Sequence, residues 1–165
     1  MQFLAFEWGQ IPYVFIVLLI AFTLHEFAHA YTAYKFGDPT PVKQGRVSLD
    51  PRVHLDVLGT ILIFLVGFGW AKLVLVNRNY FKRPRLMGII VSAAGPVTNL
   101  LIAFAGLFVL YALVSAGWLS NLSEGVLQGV LMFFEILFSL NVLLFVFNLL
   151  PVPPLDGYRI ISDLL

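Results

Sequence analysis

Apolar positions in this chain fall into long, nearly unbroken runs, and those runs set the elements to expect. The first covers residues 11–34, about 36 Å as a helix and enough to cross a bilayer with some tilt. Two more cover residues 87–116 and 130–150. Gly95-Pro96 should kink the former, and Pro151, Pro153 and Pro154 end the latter. A fourth apolar run, residues 57–71, is short for a span and contains Gly59, Gly67 and Gly69. It reads as a re-entrant loop, a form tolerated where protein shields the backbone. Gly37-Asp38-Pro39 signals a turn, Val42, Val47 and Leu49 offer strand positions, and Leu73-Val74-Leu75-Val76 suggests a further strand. The expected fold is therefore an all-α polytopic membrane protein. It has a three-helix core, short β-strands or a hairpin and a re-entrant apolar loop, in one domain over residues 1–165.

Composition strengthens the membrane reading. Of 165 residues 60% are hydrophobic and only 12% charged, and the mean hydropathy of +0.93 is far above that of soluble domains. No cysteine is present, which removes disulfides and thiolate ligands. Residues 1–10 carry no Lys or Arg, arguing against a cleaved leader. No nucleic-acid module, phosphate loop or internal repeat is visible.

The net charge of +1 says little, but its distribution says more. Nine of the ten basic residues lie between Lys35 and Arg85, on both sides of the short apolar run. The positive-inside rule puts both groups in the cytosol, which requires that run not to cross. Three spans also leave His29, near the end of the first, and Asp156, just beyond the last, at the same membrane face. Four would separate them.

The candidate chemistry is in His25-Glu26-Phe27-Ala28-His29, an H-E-x-x-H pattern inside the first span. Residues four apart share a helix face, so both imidazoles can reach one metal ion with Glu26 beside any water it holds. Ionisable groups in hydrocarbon are costly, which favours function over a merely structural polar pair. A hydrolytic zinc site takes three protein ligands and an open position. The metzincin pattern is excluded, because Thr32 and Lys35 stand where it requires glycine and histidine. Asp156, His54, Asp50 and Asp56 are candidates for the third ligand. Asp156 is favoured because it follows a span directly, in the proline-stiffened Pro151-Val-Pro-Pro-Leu-Asp-Gly157. His54 reads rather as a loop histidine bonded to backbone or a headgroup. Glu135, in the last span, reads as an interhelical hydrogen-bonding group, and Lys82-Arg83-Pro84-Arg85 as a contact with anionic headgroups.

These blocks resemble the site-2 protease family of intramembrane zinc metalloproteases. The likeness runs from Leu24 to Arg159. It includes His25 to His29, Gly37-Asp38-Pro39-Thr40 leading to Gly45-Arg46, and Asp50-Pro51-Arg52-Val53-His54-Leu55-Asp56. Gly59-Thr60, Gly69-Trp70-Ala71-Lys72 and Ala94-Gly95-Pro96-Val97-Thr98-Asn99 follow. Phe147-Asn148-Leu149-Leu150-Pro151 through Leu155-Asp156-Gly157 completes it. The chain departs from the family at Leu73 and Leu75, where proline is common.

The resemblance implies one Zn²⁺ per chain on His25, His29 and Asp156, with Glu26 as the acid–base residue and Asn148 steadying the oxyanion. Asn99 occupies an asparagine position of the Ala-Gly-Pro block. The implied activity is cleavage, by zinc-activated water, of a peptide bond in or near the transmembrane segment of a membrane-protein substrate. A substrate unwound into an extended form could add as a strand at residues 73–76, and a buried loop strand without substrate contact is the competing reading of that segment. The expected setting is a prokaryotic plasma membrane with the site toward the cytosol. An inactive metal-binding scaffold and an ion or metal transporter are the competing functions. The intact motif weighs against the scaffold, and the absence of two similar halves weighs against the transporter.

Overall fold

The computed structural model describes residues 6–67 and 69–165. Its elements in chain order are α1 (Ile11–Lys35), α2 (Thr40–Lys43), α3 (Val57–Val66), α4 (Pro84–Ser115), α5 (Glu124–Asn148) and α6 (Asp156–Leu164). Short 3₁₀ turns at Pro51–Val53 and Arg78–Tyr80 punctuate the connection between α1 and α4. Helices α1, α4 and α5 are long and apolar enough to cross a membrane.

Helix α1 is the most buried of the three. Ala21, Ala30 and Ala33 are fully buried, and such small side chains let neighbouring helices approach closely. Towards its start, Val14, Leu18 and Phe22 pack with Ile63 of α3, joined by Ile136, Leu140 and Leu144 of α5. Towards its end, Ala33 meets Val91 of α4 and Phe81. Helix α4 touches all the others that matter for the site, packing on α1, α5 and α6. Its first residue, Pro84, stands where a missing N–H costs nothing. Pro96, deep inside, leaves the Ser92 carbonyl without its usual helical donor.

Two expectations from the sequence are corrected here. Among the described residues there is no β-strand. Val42 lies in α2, and residues 73–76 are extended but pair with no second strand. Their backbone is instead bonded piecemeal. Lys72 N donates to His54 O at 2.8 Å and Val74 N to Glu26 Oε2 at 3.1 Å. The buried Arg46 guanidinium donates to the carbonyls of Val53, Lys72 and Leu73. Side chains thus take the Val74 amide and the Leu73 carbonyl, two groups that a ladder would otherwise use.

The expected re-entrant loop at 57–71 is likewise replaced by a regular helix, α3, and extended chain. The Asp56 side chain caps α3 by accepting from Gly59 N at 2.8 Å. Gly67 stops it in the left-handed region, φ 77°, which a residue with a Cβ would enter only under strain. At ten residues it is about 15 Å long, half of what a crossing needs. Residue 68 is outside the described residues.

Helix α5 begins at Glu124, six residues before the hydropathy run that announced it, because Gly125, Gln128 and Gly129 dilute its first turns. After α5 the proline-rich turn brings α6 back under the bundle, with Asp156 in its first turn. An ion pair between Arg78 and the buried Asp163 ties α6 to the α1–α4 connection beside Gly88. On the other side Asp38, fully buried, accepts from Thr40 N at 2.8 Å and Asn77 N at 2.7 Å. Asp38 and Arg46 together hold residues 69–77 against α1.

Candidate metal centre

One helical turn separates His25 from His29, and their Nε2 atoms lie 3.0 Å apart, both buried. Asp156 Oδ2, arriving from the start of α6, is 3.2 Å from each. Among the described residues these three form the one group of histidine and carboxylate side chains whose donor atoms could hold a metal ion, all within 4.8 Å of one another. His54, Asp50 and Asp56, the rival third ligands, are engaged elsewhere. His54 Nε2 donates to Ser48 O at 2.7 Å, Asp50 pairs with the exposed Arg52, and Asp56 caps α3.

The reverse sides of both rings test whether this cluster suits a metal. His29 Nδ1 lies 2.7 Å from the Val91 carbonyl, which can only accept, so Nδ1 carries the proton. His25 Nδ1 lies 2.5 Å from Asn99 Oδ1. Protons on both Nδ1 atoms leave two Nε2 lone pairs and a carboxylate oxygen facing one another at about 3 Å. Such a convergence of electron pairs repels itself unless a cation sits among them. The donor set, two neutral imidazoles and a carboxylate, is one that zinc takes in hydrolytic sites.

Helix α4 approaches the cluster at Gly95, where a Cβ would collide with Nε2 of both histidines. Glu26, buried one residue along α1, faces the same space with its carboxylate held by the Val74 amide. His25, Glu26, His29 and Asp156 border a cavity of about 670 Å³ walled by residues 69–71 and 73–76 and by Leu144 and Phe147 of α5. Asn148 lines this cavity too. One of its amide protons goes to Leu144 O at 2.9 Å, leaving the other and the carbonyl for a ligand. Burial lowers the pKa of His54 and the Arg46 charge adds a smaller push the same way, only partly offset by the Ser48 hydrogen bond and the Glu26 and Asp50 charges. Glu135 is exposed on α5 and makes no hydrogen bond among the described residues, unlike the interhelical contact expected of it.

Two contributors escaped sequence reasoning. Arg46 stood in a motif block without an assigned task, and nothing local to it names its carbonyl partners. Asn141 was passed over as one residue of an apolar run, although a buried amide in mid-span is itself a signal.

The profile of peptidase family M50 matches residues 13–165. The chain is 54% identical over 165 residues to the Bacillus subtilis protein named "Putative zinc metalloprotease YwhC", covering 99% of this chain and 74% of that one. It is 34% identical over 145 residues to Rip2 of Mycolicibacterium smegmatis, given the same descriptive name, covering 85% of this chain and about half, 52%, of Rip2. MJ0611 of Methanocaldococcus jannaschii, again so named, is 32% identical over 159 residues, 90% of this chain and 71% of that one. No solved structure matches the chain. The chain belongs to peptidase family M50, the site-2 protease family. It is thus a zinc metalloprotease and an integral membrane protein.

Proposed function

We propose that the chain is an intramembrane endopeptidase that cleaves a membrane-protein substrate within or near its transmembrane segment. Within a single domain, His25, His29 and Asp156 hold one zinc ion. When bound there, zinc supplies Lewis-acid polarisation and lowers the pKa of a coordinated water to about 7. The observation that carries the reading is the mutual approach of three buried donors beside the Glu26 carboxylate on one cavity.

Glu26 takes the proton of the attacking water and returns it to the leaving amine. The Val74 amide keeps its carboxylate turned into the cavity, so a water has one defined acceptor. Asn148 donates its remaining amide proton to the oxyanion that develops on the scissile carbonyl. The apolar wall of residues 73–76 seats an extended stretch of substrate, which must unwind because helical carbonyls are spent on their own hydrogen bonds. The site opens toward the cytosol of a prokaryotic cell. The cationic connection from α1 to α4 supports this by the positive-inside rule, and α3 is too short to reverse the orientation.

The test is cleavage in zinc-loaded liposomes of model membrane-spanning peptides that carry a helix-breaking Gly-Pro pair near one end. Wild-type protein should cut within the apolar stretch, and Glu26→Gln should retain zinc and lose turnover. Cutting by Glu26→Gln at the wild-type rate would remove Glu26 from the mechanism.

A further inference from the structure

The structure fixes His29 directly, through a backbone carbonyl, but leaves His25 to an amide. Asn99 presents Oδ1 to His25 Nδ1 at 2.5 Å. An amide turned by half a circle has almost the same shape and the opposite chemistry, so Asn99 by itself could not decide which way this bond runs. The decision lies further out. Asn99 Nδ2 donates to Asn141 Oδ1 at 2.9 Å, and Asn141 Nδ2 donates to the Leu137 carbonyl at 2.8 Å. Both asparagines are completely buried.

That last carbonyl can only accept. Asn141 must turn its amino group toward Leu137 and its oxygen toward Asn99. Asn99 must then turn its amino group toward Asn141 and its oxygen toward His25. His25 must answer with an Nδ1 proton. A reversed Asn141 would place two oxygens together in a dry interior, where no water relieves them. The line crosses all three spans, from α5 through α4 to α1, and its direction is set at the α5 backbone.

We infer that Asn99 and Asn141 are positioning residues for the metal centre, forming a one-way amide relay that keeps the His25 proton on Nδ1 and its Nε2 free to bind the metal. The inference rests on His25 being a zinc ligand, as proposed above. Without the relay, Asn99 can present its amino group, His25 Nδ1 then accepts, and the proton moves to Nε2. There it would point among His29 and Asp156, 3.0 to 3.2 Å away, and block the metal. Outer hydrogen-bond partners of ligating histidines typically carry about 10- to 100-fold in metal affinity.

The experiment uses full-length protein with ¹⁵N-labelled histidine in detergent micelles, metal-stripped and zinc-loaded, reading the His25 ring nitrogens by NMR and the zinc Kd by chelator competition. Wild-type His25 should be protonated on Nδ1 even without zinc. Asn141→Leu should spread His25 over both tautomers and weaken zinc binding by about 10- to 100-fold. Adding Asn99→Asp to Asn141→Leu puts an acceptor-only carboxylate beside His25 and should recover the Nδ1–H form and most of the zinc affinity. A wild-type His25 protonated on Nε2 would overturn the relay, and needs no variant to fold. So would an Asn141→Leu protein matching wild type in tautomer and zinc affinity, or a folded double variant that recovers neither. A wild-type protein that binds no zinc would instead strike at the metal reading, leaving the tautomer result to be judged by itself.

Discussion

An alanine at position 95 would carry its methyl group into the space where the donor atoms of α1 converge. A Cβ there lies 2.5 Å from His25 Nε2 and 2.7 Å from His25 Cε1, and closer still to His29 Nε2. Ordinary contact begins at 3.4 Å, so α4 must retreat or the rings must turn by at least about 0.9 Å, the difference of those distances. Neither motion is easy, because His29 is tied to Val91, one turn before Gly95 on the same helix, and His25 to Asn99, one turn after it. Overpacking of this kind costs about 1–3 kcal/mol. Zinc–nitrogen bonds of about 2.0–2.1 Å tolerate errors of only about 0.2 Å, so the strain falls on metal binding. Gly95→Ala should therefore weaken zinc binding by about 10- to 100-fold, at 1.4 kcal/mol per decade. Helix content by circular dichroism should stay unchanged. Competition against a chromophoric chelator gives the affinity. A folded Gly95→Ala protein that binds zinc as tightly as wild type would refute the placement of α4 against the two rings.

Other consequences are open to measurement. Asn148→Ala should leave zinc affinity alone and lower kcat by about 10²- to 10³-fold, with KM little changed, as for loss of one oxyanion donor; a change in KM alone would remove that role. Arg78→Ala strands the buried Asp163 carboxylate, and because Arg78 is itself partly exposed the loss should be modest, about 1–2 kcal/mol. It should appear as a lower Tm together with weaker zinc binding, since α6 carries Asp156. An unchanged Tm would show that the pair contributes nothing. The lowered pKa of buried His54 means the unfolded chain takes up its proton first, near pH 6.5. This contribution to stability is complete above that pH and is lost as pH falls below it. Metal-free wild type should lose Tm between pH 7 and 5 more steeply than His54→Gln; equal slopes would contradict the assignment.

Hydropathy made α1, α4 and α5 legible because a lipid-spanning helix satisfies its backbone by itself and needs no partner to be recognised. His25, Glu26 and His29 were legible for a similar reason: helical spacing alone puts them together. Asp156, far along the chain, could be placed near them by counting spans. The connection from 36 to 83 could not be read so easily. Its fold depends on Arg46 reaching Val53, Lys72 and Leu73, and on Asp38 reaching Asn77, contacts between groups far apart in sequence. Residues 73–76 have the composition of a strand, but Arg46 took the Leu73 carbonyl and Glu26 the Val74 amide, and no second strand lies beside them among the described residues. The brevity of α3 was visible in its glycines, yet its helical form depends on the Asp56 cap and on Ile63 finding Val14, Leu18 and Phe22. The amide relay was hidden because asparagine spacing says nothing of which end of an amide faces which neighbour.

The most direct test of the central claim is metal analysis of the purified protein, wild type beside Asp156→Ala, by mass spectrometry after exhaustive washing. The account predicts about one zinc per wild-type chain and close to none for Asp156→Ala, with both proteins equally helical. A folded wild type without zinc, or an Asp156→Ala protein that keeps its full complement, would contradict it.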